Sequence, residues 1–170
     1  FILMSYHKYI ISIVVISILL ILFSKYIFDN YQPKSSYALE DTKKISDQDI
    51  QEFIKQGYYN FQIIEDYQKA IEWYNKVLTI DKNNVEALSK KGEVLSRLDN
   101  FSDAFELVDK ALDIQTNSVI AVNAKGYILN QQNNYSKAID YYDIALAINP
   151  KDTYALTNKG ITLYNQGNIS

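Results

Sequence analysis

The chain has 170 residues, enough for one domain plus an appendage, and its 17 basic and 20 acidic side chains give a formal net charge of −3. This balance lacks the basic surface typical of nucleic-acid-binding proteins, so we expect no nucleic-acid partner. Cysteine is absent and His7 is the only histidine, which excludes disulfides, thiolate metal sites and cysteine nucleophiles, and leaves the body of the chain without a histidine base.

An apolar segment lies near the N-terminus. Residues 9–23 (YIISIVVISILLILF) contain two polar side chains, Ser12 and Ser17. As a helix this segment would span about 22 Å, short of the roughly 30 Å hydrocarbon core of a bilayer. Flanking tyrosines and lysines suit the membrane interfaces and extend it to residues 6–28, about 34 Å, which is enough to cross a bilayer with some tilt.

Three interpretations of this segment compete: a retained anchor, a cleaved signal peptide and a buried core helix. A helix that is apolar all round would need a larger domain to bury it. The small-residue cleavage motif at residues 36–38 lies too far beyond the apolar run for a typical signal peptide. We therefore predict that residues 1–28 are a transmembrane anchor or an uncleaved signal, making a single-pass membrane protein. Lysines flank both ends, so the side carrying the rest of the chain stays undetermined.

Residues 29–46 are polar, contain Pro33 and show no sustained periodicity, which is typical of a linker. At the end of this stretch Ser46 is followed three residues later by Asp49. This spacing predicts a helix N-cap with an acidic first turn.

A 34-residue period governs the rest of the chain. Shifting the sequence by this period aligns three columns of small and aromatic residues: Gly92, Gly126 and Gly160; Ala70, Ala104 and Ala138; and Tyr67, Phe101 and Tyr135. Within one period, apolar residues recur at helical spacing on both sides of an Asp99-Asn100 turn signal. Each unit is therefore predicted to contain two antiparallel helices.

The recurring glycine is informative because a glycine inside a helix costs about 1 kcal/mol relative to alanine. Its return at every period predicts a close approach of two helices, with Ala104 and Ala111 as small residues on the partner helix. The first unit is irregular, since Tyr58 stands at the glycine position and Gly57 lies one place early. Either the helices are further apart there or the register shifts by one residue.

These columns, with Asn149-Pro150 closing the third unit, resemble the tetratricopeptide repeat family over residues 47–170. The resemblance implies an all-α fold: a right-handed superhelical stack of antiparallel helix pairs, an α-solenoid of about three and a half repeats, here preceded by the N-terminal transmembrane helix. The expected units are 51–84, 85–118, 119–152 and a truncated 153–170, whose first helix would present an uncovered apolar face.

The sequence departs from the family pattern at two sets of positions. Lys82 and Thr116 replace the proline that the family prefers, so those boundaries are expected to depend on Asn83-Asn84 and Asn117-Ser118 instead. A lysine precedes each glycine in a column that is usually apolar, which we interpret as a solvated ladder; its members are Lys91, Lys125 and Lys159.

Family geometry places a concave groove on the first helix of each unit. By spacing, this face changes from acidic and small residues in the second unit to aromatic and amide residues in the third and fourth. Tyrosines offer large contact area with a polar tip, and amides can pair with a peptide backbone. The predicted partner-binding groove comprises Asn123, Tyr127, Asn130, Tyr154, Asn158 and Tyr164. The alternative that Tyr154 and Ile161 pack against adjacent units stays open.

Motifs for chemistry are missing from the sequence: it has no glycine-rich phosphate loop, GxSxG, HExxH or paired CxxC. We therefore predict no catalytic, cofactor-binding or metal-binding residues and no enzymatic activity. Some family members grip acidic C-terminal tails of chaperones with a lysine and asparagine clamp. The matching positions here fit at Asn158 alone, which argues against such tails; they hold Ser89, Glu93, Ala124, Tyr154 and Asn158.

The leading functional hypothesis is a membrane-anchored scaffold that binds a protein or peptide. One alternative is the accessory repeat region of a larger enzyme, such as a transferase, whose catalytic domain lies outside this chain. A third hypothesis is self-association through the incomplete fourth unit. The full-length reading frame separates the first two, and concentration-dependent sedimentation tests the third.

Overall fold

The computed structural model describes residues 45–167 together with Leu20, Leu22 and Lys25. Apart from those three residues, the predicted anchor and the linker as far as residue 44 lie outside the described residues. Among the residues that are described, no helix has the length and apolar character needed to cross a bilayer. The chain divides into two units between Lys44 and Ile45, and the predicted repeats lie in the second unit.

Seven α-helices make up the described part of the second unit. They alternate between first and second helices of the predicted repeats. The first helices are α1 (Asp47–Tyr59), α3 (Val85–Arg97), α5 (Val119–Gln131) and α7 (Thr153–Asn165). The second helices are α2 (Tyr67–Ile80), α4 (Phe101–Ile114) and α6 (Tyr135–Ile148). A π-helical segment, Asn60–Ile64, continues α1. The all-α prediction is confirmed, with three helix pairs and a seventh helix.

Each first helix begins at a residue whose side chain caps it, close to the position where the family prefers proline. At α1, the Asp49 backbone N–H donates to Ser46 Oγ at 3.3 Å, and the Ser46 N–H donates to the Asp49 carboxylate at 2.8 Å. This reciprocal capping box confirms the predicted N-cap. At the later units, one cap residue accepts from the N–H of the recurring alanine; the pairs are Asn84 with Ala87, Ser118 with Ala121, and Asp152 with Ala155. Asn84 and Ser118 thus define their boundaries without the family proline, whereas Asp152 follows Pro150.

The turn inside each unit uses a left-handed backbone conformation. Positive φ angles of 58°, 58°, 60° and 82° occur at positions 34 residues apart: Glu65, Asp99, Asn133 and Gly167. A left-handed residue after a helix reverses the chain, which is what an antiparallel hairpin requires. Of the four, Gly167 adopts this conformation without the steric cost of a Cβ atom.

Close helix approach at the recurring glycine is confirmed inside the second and third units. A Cβ atom added at Gly92 would lie 2.8 Å from Val108 Cγ2 and 3.0 Å from the Ala104 backbone oxygen. One added at Gly126 would lie 2.8 Å from the Tyr142 ring. Two carbon atoms do not approach each other to 2.8 Å without a clash. The absence of a Cβ atom at both glycines therefore lets the second helix of each unit pack directly on the first helix.

Ala111, the second small residue expected on the partner helix, packs with Leu88 of α3 and with Ala121 of α5. It therefore contributes both to the helix pair of its own unit and to the junction with the next unit. The prediction was therefore right about Ala104 and incomplete about Val108, which supplies the side chain that meets Gly92.

In the irregular first unit, the register is shifted by one residue. A Cβ atom at Gly57 would lie 2.6 Å from the Tyr74 ring, and Tyr74 stands one period before Val108. Ten positions separate Gly57 from Tyr67, the first residue of α2, whereas nine separate Gly92 from the first residue of α4. The π-helical segment accommodates this extra residue. The alternative of more widely separated helices is wrong, because Gly57 makes the close approach.

Contacts between units determine how the stack curves. First helices contact the first helices of neighbouring units, most extensively α3 with α5, whereas no comparably extensive contact joins the second helices within residues 45–167. The first helices therefore lie on the inner side of the curve. We call the groove side of α3, α5 and α7 the inner face. It includes Glu93 of α3 and the six predicted groove residues of α5 and α7.

The lysine ladder is paired rather than solvated at two of its three positions. Lys125 Nζ lies 2.6 Å from Asp109 Oδ1, and Lys159 makes the equivalent pair with Asp143 one period later. Burial lowers the pKa of Lys125, but the nearby Asp109 carboxylate outweighs it, so the net pKa is raised. Asn75 replaces the aspartate at the junction that contains Lys91. The interpretation as a solvated ladder needs this correction.

Candidate partner-binding face

The centre of the inner face contains a buried ion pair. Glu93 is fully buried, and Lys90 Nζ lies 3.1 Å from both of its carboxylate oxygens. The two residues are three apart, which places them on one face of α3. Burial raises the pKa of Glu93, and the positive charge of Lys90 opposes this effect. A carboxylate at this depth depends on its cation, because an unpaired buried charge is strongly destabilising.

Tyr154 covers this pair from another unit. Lys90 Nζ lies 4.6 Å from the centroid of the Tyr154 ring, within the range of a cation–π interaction. Burial and the negative charge of Glu93 both raise the pKa of the Tyr154 hydroxyl. Tyr154 therefore reaches from α7 to α3 and joins two non-adjacent units.

An aromatic cluster makes a second long-range contact. The Phe61 ring, in the π-helical segment, meets the Tyr127 ring of α5 edge to face at 6.4 Å. Phe61 also packs against Tyr67, whose hydroxyl accepts a hydrogen bond from Arg97 Nη2 at 3.0 Å. Burial raises the pKa of Tyr127 and Arg97 opposes the increase. Tyr127 thus links the third unit to the first.

The amide side chains of the predicted groove pair within the stack. Asn123 Nδ2 donates to Asp152 Oδ1 at 2.9 Å, and Thr162 Oγ1 donates to Asn130 Oδ1 at 3.1 Å. Asn158 Nδ2 donates to the backbone oxygen of Tyr154 at 2.9 Å. Asn123 and Asn130 join neighbouring units, whereas Asn158 bonds within α7. All three amides are therefore less available to a peptide backbone than the sequence suggests.

The six predicted groove residues therefore fall into two groups. Five make contacts within the stack: Asn123, Tyr127, Asn130, Tyr154 and Asn158. The sixth, Tyr164, is 66% exposed. Ile161, which is not one of the six, is 49% exposed. Tyr154 packs against Lys90 of α3, two units away, whereas the alternative placed it against an adjacent unit, and Ile161 is half-exposed. Partner binding by any of the six stays a prediction.

Sequence reasoning missed two features of this face. The Lys90–Glu93 pair has a local signal, a lysine and an acid three residues apart on one helix. The contact between Phe61 and Tyr127 has none, because it depends on the extra residue in the π-helical segment. Within the described part of the chain, no group of three potential ligands could hold a metal ion. The arrangement offers recognition through aromatic, amide and hydroxyl groups.

Comparison with protein families gives two matches. Residues 64–99 match a model described as TPR repeat, and residues 120–152 match a model described as tetratricopeptide repeat. The first match covers α2 and α3, and the second covers the third unit. No curated protein sequence matches the chain.

Solved structures share the fold at low sequence identity. The first TPR of Spaghetti (RPAP3) bound to the HSP90 peptide SRMEEVD superposes with a TM-score of 0.55 at 18% identity, covering 72% of this chain and 97% of that one. The Arabidopsis OM64 TPR domain gives 0.54 at 17% identity, with coverage of 68% and 94%. The O-GlcNAc transferase of Thermobaculum terrenum gives 0.58 at 20% identity, covering 67% of this chain but 22% of the enzyme. The two family matches, together with the repeated columns and paired helices, support the assignment of residues 64–99 and 120–152 to tetratricopeptide repeats.

Proposed function

We propose that this protein is a membrane-anchored scaffold that binds a protein or peptide partner with its inner face. The observation that carries the proposal is the packing of successive first helices into one continuous face with exposed apolar side chains at one end. That end contains Ile161 and Tyr164, which are 49% and 66% exposed. Large, amphipathic tyrosine side chains are favoured where one protein contacts another.

The occupied centre of the inner face restricts where a partner binds. Tyr154 and Tyr127 lie over α3 and fill much of its groove side, leaving Ser89, Glu93 and Ser96 buried. A partner that contacts the face without displacing these tyrosines must bind toward the Tyr164 end. We expect it to contribute apolar and aromatic side chains to that end.

The charge of the face disfavours an acidic tail. The related domain of Spaghetti is bound to the peptide SRMEEVD, which has a net negative charge. In this chain Glu93 occupies one of the clamp positions, and the neighbouring Lys90 charge is already neutralised by it. We therefore expect no measurable binding of SRMEEVD, and saturable binding of that peptide would contradict this part of the proposal.

Membrane attachment rests on residues 6–28, the apolar segment with interfacial tyrosines and lysines. We expect the full chain to sediment with membranes after carbonate extraction and a variant lacking residues 1–28 to be released. Recovery of the full chain in the extract would contradict the anchor.

Partner binding is tested by photocrosslinking in native membranes, with a photoreactive amino acid at position 164 and mass spectrometry of the captured protein. Tyr164→Ala is expected to weaken binding of that partner while the far-ultraviolet dichroism stays helical. Lys137→Ala changes an exposed residue of α6 and serves as the matched control. Equal binding by the wild type, the Tyr164→Ala variant and the control would overturn the proposed face. So would loss of fold without selective loss of binding.

A further inference from the structure

Arg97 carries a positive charge at the edge of the inner face. It is the one arginine of the protein and the last residue of α3, and it follows Glu93 by four residues, which places both on the same side of the helix. Lys90 is paired with Glu93, whereas no carboxylate of the described residues forms an ion pair with the exposed Arg97. The positions one period away hold Ile63 and Gln131, so this charge belongs to the second unit.

Two tyrosines lie beside the Arg97 side chain. Arg97 Nη2 donates a hydrogen bond to the Tyr67 hydroxyl at 3.0 Å, and the guanidinium carbon lies 5.7 Å from the centroid of the Tyr67 ring. Tyr127 is the second, since the charge of Arg97 opposes the rise that burial causes in the pKa of its hydroxyl. A guanidinium has several N–H donors, and the Tyr67 hydroxyl, which accepts from Arg97, keeps its own proton to donate.

Phe61 fixes the positions of both tyrosines. Its ring is 4% exposed and meets the Tyr67 ring at 6.0 Å and the Tyr127 ring at 6.4 Å, edge to face in each case. This packing restricts the rotamers of the two tyrosines and keeps their hydroxyl groups close to Arg97. The cluster therefore combines a positive charge with N–H and O–H donors from α2, α3 and α5. Donors of this kind bind oxyanions.

The number of donor groups favours a phosphate over a carboxylate. A phosphate monoester has three acceptor oxygens and a charge of about −2 at pH 7, and the planar fork of arginine matches its geometry. A carboxylate has one oxygen and about one negative charge fewer, so it engages the three groups less completely. Arg97 also lies outside the positions that match the clamp for acidic chaperone tails.

We propose that Arg97, Tyr67 and Tyr127 bind a phosphorylated side chain of the partner protein. Assigning the phosphate to a protein rests on the proposed function, because the site adjoins the inner face. Neighbouring packed helices lie about 10 Å apart, so roughly 20 Å separates α3 from α7. About six residues of an extended segment span this distance, which lets one partner contact Arg97 and Tyr164 together.

A single arginine makes the site directly observable by nuclear magnetic resonance. With ¹⁵N-labelled arginine, the full chain in maltoside micelles gives one side-chain Nε–Hε signal, that of Arg97. The probe is the peptide acetyl-Gly-phosphoSer-Gly-amide in phosphate-free buffer. We expect a saturable shift of the Arg97 signal, and ³¹P titration of the peptide measures its affinity. The matched peptide with glutamate in place of phosphoserine should bind about tenfold more weakly or worse.

Substitutions separate phosphate binding from a purely structural role of Arg97. Arg97→Gln removes the charge of an exposed side chain, so helical dichroism should be retained while the phosphopeptide binds about tenfold more weakly or worse. Tyr67→Phe keeps the ring and removes one donor, which should weaken binding about threefold to tenfold. Lys137→Gln removes one exposed charge from α6 and should bind like the wild type. The site is overturned by undiminished binding to Arg97→Gln, by equal binding of the two peptides, or by the absence of a saturable shift.

The source of the phosphate is tested on the partner captured at position 164. Phosphatase treatment before crosslinking should reduce capture by the wild type to the level of Arg97→Gln, and it should not change capture by that variant. Capture by the wild type that phosphatase leaves unchanged would contradict a phosphorylated partner. So would a shift of the Arg97 signal that inorganic phosphate or phosphatidic acid in the micelles produces and the phosphopeptide does not. The peptide titration needs no captured partner, so a failure of the proposed function and a failure of this site are distinguishable.

Discussion

The interfaces inside the units differ in kind from the interface between the first helices. Inside the units, Gly92 and Gly126 meet Val108 and Tyr142 in tight apolar contacts that recur every 34 residues. Between units, the column that contains fully buried Glu93 continues with Tyr127 and half-exposed Ile161. The comparison teaches that repetition encodes how a unit folds, while variation between units encodes the inner face. Recognition therefore belongs to the columns that do not repeat.

The largest expected effect comes from the buried ion pair of the inner face. Lys90→Met removes the cation of a fully buried carboxylate, and we expect a loss of about 3 kcal/mol in the free energy of unfolding at pH 7. No apolar contact inside a unit has this dependence on charge. Urea unfolding at several pH values measures it.

The pH dependence follows from the raised pKa of Glu93. The native state holds this proton more tightly than the unfolded state, so Glu93 contributes stability below its unfolded pKa of about 4.3, and that stability is lost as the pH rises through the folded value. Lys90→Met should therefore cost more at pH 7 than at pH 4. The double variant with Glu93→Gln should lose this difference. A cost of Lys90→Met that is independent of pH would show that Glu93 is not the group involved.

A smaller effect tests the shifted register of the first unit. Gly57→Ala places a Cβ atom 2.6 Å from the buried Tyr74 ring, and we expect a loss of about 1–2 kcal/mol despite the better helix propensity of alanine. The neighbouring Tyr58 is 46% exposed, so Tyr58→Ala should change the free energy of unfolding by about 0.5 kcal/mol or less. The reverse order of the two effects in thermal unfolding would place the close approach at Tyr58 instead.

The smallest effect concerns the turn of the same unit. Glu65 has a φ of 58°, a conformation that glycine adopts without steric cost. Glu65→Gly should raise the free energy of unfolding by about 0.5–1 kcal/mol, and Glu65→Ala, which keeps a Cβ atom, should give no such gain. Equal effects of the two substitutions on the urea midpoint would show that the left-handed turn contributes no strain.

The sequence correctly predicted the features that lie within one repeat unit and recur in its copies. The glycine and alanine columns predicted helix pairs and their close contact, and Ser46 with Asp49 predicted the first cap, because these interactions lie within a few residues or one period. The groove was harder to predict. Asn123 and Asn130 bind residues about 30 positions away, Asp152 and Thr162, and the sequence does not indicate which polar side chains satisfy one another across the inner face.

The first unit shows a second reason for failure. A single extra residue leaves the apolar spacing of α1 and α2 intact, so the sequence allowed either a wider gap or a shifted register. The π-helical segment decides between them, and it also places Phe61 against Tyr127. Local backbone adjustments of this kind leave no periodic signal, which is why that contact was not predicted.

The central claim is that the recurring glycine permits close approach of two helices, and one paired measurement tests it most directly. Gly92→Ala and Gly160→Ala change the same position of the repeat, and both gain helix propensity. We expect Gly92→Ala to lower the free energy of unfolding by about 1–2 kcal/mol, because Val108 and the Ala104 backbone occupy the space of the new methyl group. Gly160→Ala should raise it by up to about 1 kcal/mol. Shifts of the same sign and size at both positions would contradict the claim.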